Sequence, residues 1–118
     1  MPTALSLSMT RDKTAVFFLD IFQYDGTPQP LSGSTLYFHA AINQGFSINK
    51  SSPSSGIVIT NMAGGTNCAT LTIDPIDSTA LAENGNYAMP CELTLVNGGA
   101  TYELNRGTLR VLPNVGTP

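Results

Sequence analysis

The chain has 118 residues, 42% of them hydrophobic and only 11% charged, with 5 basic against 8 acidic side chains and a formal net charge of −3. That length holds one core. The composition is neither the charge-rich kind of disorder nor the long apolar run of a membrane span, and Arg11, Lys13, Lys50, Arg106 and Arg110 are too scattered for a nucleic-acid footprint.

The N-terminal "MPTALSLSMTRDKT" lacks a basic region followed by a continuous apolar stretch, so neither a signal peptide nor a membrane anchor is expected, and synthesis in a cytoplasm is the reading. Its "LSLSM" alternates and forms a first strand. "KTAVFFLDIFQY" is rich in β-branched and aromatic residues without a 3.6-residue stripe, which predicts a second strand, buried over much of its length. "DGTPQPLSG" then stops it: Asp25-Gly26 accepts positive φ, and two prolines cannot donate to a ladder. A connection of about nine residues is too long for a tight hairpin and suits a crossing between sheets or around an edge. "STLYFHA" after it alternates, with Leu36, Phe38 and Ala40 on one face.

Further on, "GFSINKSSPSSGIVITNMAGG" predicts two short strands, around residues 46–50 and 57–59, closed by Ala63-Gly64-Gly65. In "TNCATLTID" the residues Ala69, Leu71 and Ile73 oppose Cys68, Thr70 and Thr72. "PIDSTALAENG" has helical character: a leading proline, Asp77 and Ser78 as caps, and Asn84-Gly85 as a stop describe one or two turns bridging two strands across the end of a sandwich. The last third places Tyr87, Met89, Cys91, Leu93 and Leu95 on one face, with a hairpin at Asn97-Gly98-Gly99 into a returning strand. Pro90 points to an edge position or a bulge, and a change of inward parity near Arg106-Gly107 points to a bulge at that glycine.

About eight strands, one short helical turn and no βαβ alternation make an all-β fold, an antiparallel β-sandwich, over residues 1–113 with a flexible tail at 114–118. The expected core is Phe17 or Phe18 with Leu36, Phe38, Ile57, Leu71, Ile73, Tyr87, Leu93 and Leu95. Cys68 and Cys91 fall on opposite sides of their strands and lack metal or redox spacing, so two free thiols are expected.

No catalytic constellation emerges. His39 is the only histidine, and a triad would need it beside Asp74 or Asp77 and a serine that nothing identifies. Asp20, Asp25, Asp74 and Asp77 sit in no calcium-loop pattern, and "MAGGTN" and "NGGA" lack the lysine and the helix of a phosphate loop. No catalytic, metal or cofactor residue is assigned. Tyr24, Tyr37, Phe46, Tyr87 and Tyr102 can stack on sugar rings, which makes a small-ligand or carbohydrate-binding module the alternative function; the absence of tryptophan weighs against it.

The order "FFLDIFQYDGTPQPLSGSTLYFHA", then "GIVIT", "AGG" and "ATLTIDPIDSTAL", then "GNYAMPCELTLVNGG" and "RGTLRVLP" resembles the immunoglobulin-like domain of tailed-phage virion proteins, such as baseplate upper protein N-terminal domains and small tail or head-fibre proteins. It spans residues 14–113. The resemblance implies a non-catalytic virion structural module, made in the host cytoplasm and without cofactors, whose partners are copies of itself or other virion proteins. Neither nucleic acid nor membrane is an expected partner, and a host-surface glycan is the lesser candidate. A surface of so few charges suits packing in a crowded shell. The interface residues expected are Leu5 and Leu7 of the N-terminal strand, Thr27, Pro28 and Pro30 of the stiff connection, and Pro113 before the tail.

Overall fold

The alternating segments become strands in the computed structural model, which describes residues 5–23, 25–43, 46–60, 67–78, 81 and 87–113. These are β1 (Leu5–Thr10), β2 (Ala15–Asp20), β3 (Thr35–Asn43), β4 (Phe46–Ser51), β5 (Ile57–Ile59), β6 (Cys68–Ile73), β7 (Tyr87–Asn97) and β8 (Ala100–Leu112), with one 3-10 turn at Pro75–Asp77. They form a five-stranded sheet in the order β1-β8-β7-β3-β4 and a three-stranded sheet in the order β2-β6-β5. The period of two puts apolar residues on one face of each sheet, and these faces meet. Leu36, Phe38, Met89, Leu93, Leu95, Leu109 and Val111 of the larger sheet join Leu19, Ile57, Ala69, Leu71 and Ile73 of the smaller one in a single buried cluster.

In the immunoglobulin scheme, strands B, E and D share one sheet while C, F and G share the other. Here β2, β6 and β5 take the places of B, E and D, and β3, β7 and β8 those of C, F and G, with β4 added beside β3. The protein is an immunoglobulin-like β-sandwich. It holds together without the tryptophan and inter-sheet disulfide that mark antibody domains: the sequence has no Trp, Phe38 is the bulkiest fully buried side chain, and both cysteines are free.

The connection at residues 25–33 leads from β2 in one sheet to β3 in the other, so it crosses between sheets as its length requires. Gly98 and Gly99, at φ +58° and +86°, supply the two positive-φ positions of a tight loop between Asn97 and Ala100. Of the expected core, Leu36, Phe38, Ile57, Leu71, Ile73, Leu93 and Leu95 are buried. Phe17 and Tyr87 are half-buried against that cluster. Phe18 points away from it, 75% exposed.

Several local expectations are corrected. β2 ends at Asp20 and is buried on one face only, with Val16 and Phe18 turned outward. The bulge is not at Gly107: the β7–β8 register shifts between Leu93 and Thr94, which pair with Asn105 and Glu103, so the extra residue is Leu104. Gly107 has a different duty. A Cβ there would lie 1.7 Å from the carbonyl oxygen of Leu5, so the glycine is what lets β1 approach β8. That pairing is parallel, whereas the other ladders between the named strands are antiparallel. Pro90 lies in β7, the middle strand of its sheet, not at an edge. The β3 ladder ends at Ala40 and Cys91, one residue after Pro90 in the chain, so β3 does not pair with β7 at the proline.

The helical segment is a single turn among the described residues. Asp77 caps it, its carboxylate accepting the Asp74 amide at 2.7 Å, and reaches Lys50 of β4 at 2.8 Å. Ser78 is fully buried; its hydroxyl donates to the Pro75 carbonyl and accepts the amide of Asp12, while Arg11 donates to the Leu81 carbonyl. The turn between β1 and β2 is thus bolted to the link between β6 and β7. The Ala63-Gly64-Gly65 turn, the Asn84-Gly85 stop and the tail at 114–118 lie outside the described residues.

Candidate interaction surfaces

Three surfaces carry enough chemistry to weigh. The first is the outer face of the three-stranded sheet. Pairing sets Phe18 beside Thr70 and Thr70 beside Val58, while Val16 lies beside Thr72, so three apolar side chains stand on the two strands that flank the threonines of β6. Val16 and Val58 are about half exposed and Phe18 more so. "AVFFLD" is apolar at both parities, because one face meets the core and the other is left facing outward.

The second is a cleft of about 340 Å³ at the end of the sandwich, lined by Phe22, Gln23, Asp25, Gln29, Tyr102, Glu103 and Leu104. One wall is the start of the crossing connection, anchored at both ends by buried side chains, Ile21 and Leu31. The Ile21 carbonyl accepts from both the Asn67 side chain and the Gln29 amide, the Gln23 amide donates to the Thr27 carbonyl, and Phe22 bridges Pro28. This miniature hairpin holds Phe22 half exposed. The Asp25 carboxylate accepts from the hydroxyl and the amide of Thr27, which hold its pKa below the usual carboxylate range. The opposite wall is β8, where the bulge at Leu104 reverses parity and sets Tyr102 opposite Leu95 on the inward-facing side. The ring lies over the end of the core, about half exposed.

The third is a groove of about 290 Å³ on the outer face of the five-stranded sheet, lined by His39, Ala41, Pro90, Cys91, Glu92 and Arg106. Its polar groups are committed to one another. His39 Nδ1 meets the Asn49 side-chain oxygen, and Arg106 bonds Glu103 and lies 3.6 Å from Glu92, contacts that raise its pKa. An amide, not a carboxylate, thus faces that ring nitrogen. Among the described residues no group of three or more His, Cys, Asp and Glu side chains gathers as a metal site would require, and no helix is long and apolar enough to cross a membrane.

The sequence-expected interface residues do not share one surface. Leu7 is buried and Leu5 half-buried, both facing the core, so β1 presents its open edge with Ser6 and Ser8 exposed. Thr27, Pro28 and Pro30 stand together, exposed, on the crossing connection. Pro113 follows β8 at the other end of that strand from Tyr102, next to the Leu112 carbonyl that accepts the Arg11 amide. Of the aromatics named for stacking, Tyr102 lines the cleft, Tyr37 stands exposed, Phe46 and Tyr87 pack on the core, and Tyr24 is outside the described residues. Phe22, Gln23 and Gln29 were not singled out by sequence; the signal available was an aromatic and two amides flanking the DG turn.

No protein-family model matches the chain, and no curated protein matches it. Among solved structures, murine CRIg is similar at 13% sequence identity over 97% of this chain and 98% of that one, with a TM-score of 0.42. The immunoglobulin-like assignment rests on strand order, not on that likeness.

Proposed function

We propose that the protein is a non-catalytic structural module of a phage virion, of the tail, baseplate or head-fibre kind, which packs against copies of itself and neighbouring virion proteins. The virion setting is taken from the sequence resemblance. The observation that supports packing is the outer face of the three-stranded sheet, where Val16, Phe18 and Val58 stand exposed in register. Exposed apolar side chains on both strands flanking β6, in a small domain of low charge, make a surface that gains from being covered. Unpaired strand edges add a second means of joining. β1 occupies one edge of its sheet and β4 the other, so main-chain groups are presented there whatever the side chains.

Light scattering over a concentration series tests the reading. Association that weakens when Phe18 is changed to Ser, with the melting temperature unchanged, is expected. A strictly monomeric protein that also fails to bind purified virion neighbours overturns it.

A further inference from the structure

The end cleft stands apart from the surfaces used for packing, and its chemistry is of another kind. Its floor is apolar, built from two half-exposed rings, Phe22 and Tyr102, over buried Leu104. Its rim is polar, carrying Gln23, Gln29 and Asp25, while the Glu103 carboxylate is turned to Arg106. Among the described residues that line it there is no Lys, Arg or His, which disfavours phosphates, nucleotides and acidic sugars.

A ligand that fits must offer one apolar face and many hydroxyls. We propose that this cleft binds an uncharged sugar ring, its C–H face stacked on Phe22 and Tyr102 and its hydroxyls bonded to Gln23, Gln29 and Asp25. The volume of about 340 Å³ is within the range of small-ligand sites. An ionised carboxylate is an acceptor only, matched to hydroxyl donors, while a carboxamide both donates and accepts. The side chains also begin in place: each Gln donates Nε2 to a proline carbonyl, Gln23 to Pro28 and Gln29 to Pro30, leaving the amide oxygens turned from those bonds.

A cationic ligand is the competing occupant, since two acidic residues, Asp25 and Glu103, line the cleft. The pairing already made weakens that case: Glu103 is neutralised by Arg106, and Asp25, held by Thr27, serves as an oriented acceptor more than as an uncompensated counter-ion. The proposal stands on the cleft alone and does not rest on the assembly reading.

The test is an NMR titration of the full isotopically labelled chain with the methyl glycosides of glucose, galactose, N-acetylglucosamine and rhamnose, and separately with arginine methyl ester. At least one glycoside is expected to shift resonances of Phe22, Gln29 and Tyr102 with a dissociation constant of about 1 mM. Tyr102→Ala and Phe22→Ala each weaken that binding roughly tenfold, whereas Tyr37→Ala, on the outer face of the five-stranded sheet, leaves it unchanged. If Tyr102→Ala loses its dispersed spectrum, Gln29→Ala replaces it, with weakened binding expected and unchanged binding counting against the site. The idea is overturned if no glycoside shifts the cleft resonances, if arginine methyl ester alone does, or if Tyr37→Ala matters as much as Tyr102→Ala.

Discussion

The five-stranded sheet turns outward His39, bonded to Asn49, and Arg106, paired with Glu92 and Glu103, whereas the three-stranded sheet turns out Val16, Phe18 and Val58. The inner faces of both are apolar and share one core. A sheet of five strands with two long partners, β7 and β8, can leave its outer face to water, because its ladder is broad and its inner face covers the core. The smaller sheet has strands of six, six and three residues, and apolar side chains on both faces of β2. Such a sheet gains more from being covered on its second side. Under the assembly proposed above, the larger sheet would supply the frame and the smaller one the contact.

Paired substitutions, one on an inner face and one on an outer face, test this division most sharply. Phe38→Ala, in the frame, is expected to cost about 3–5 kcal/mol, whereas Phe18→Ala changes monomer stability by no more than about 0.5 kcal/mol. Urea denaturation of both variants measures the contrast; equal losses would mean that Phe18 is covered within the monomer and the two faces do not differ.

Gly107→Ala is next in size. The clash with the Leu5 backbone lifts β1 from β8, at a cost of about 1–3 kcal/mol, with amide exchange rising along residues 5–10 while β2 stays protected. Protection that falls equally in both sheets would show β1 to be integral to the whole core.

Asp77→Asn removes the charge that meets Lys50 and ties the five-stranded sheet to the turn following β6. Both side chains are mostly buried, so a loss of about 1–2 kcal/mol is expected, seen as a lower midpoint in thermal melts. An unchanged midpoint would mean that the two sheets are held by apolar packing alone.

The smallest effect concerns pH. Burial raises the Cys91 thiol above its ordinary value of 9.0, outweighing the Gly107 backbone hydrogen bond. Above that pH the unfolded chain loses this proton first and the folded chain retains it, so stability falls with rising pH until the folded-state pKa is passed. Cys91→Ala is expected to flatten this slope, while a Cys68 variant leaves it in place. Denaturing, non-reducing titration should count two free thiols.

Much of this fold was legible because period-two alternation is a local property. Leu36, Phe38, Leu71, Ile73, Leu93 and Leu95 announce their inward face within their own segments, and "DGTPQPLSG" announces a crossing by its length and its prolines. "AVFFLD" could not be resolved that way, since alternation is silent when both parities are apolar. The choice of Phe17 over Phe18 for the core side came from the pairing of β2 with β6.

The sequence by itself determined the class, the strand count and most of the core, because a β-strand's side-chain pattern and a turn's φ requirements are written in consecutive residues. Only the tertiary structure decided that β1 runs parallel to β8, that Gly107 makes room for Leu5 while Leu104 forms the bulge, and that Phe22 and Tyr102 meet across a cleft. All but the bulge join residues about 80 to 100 positions apart. No local propensity specifies such a meeting, which follows from how the apolar faces bury one another once all the strands are present.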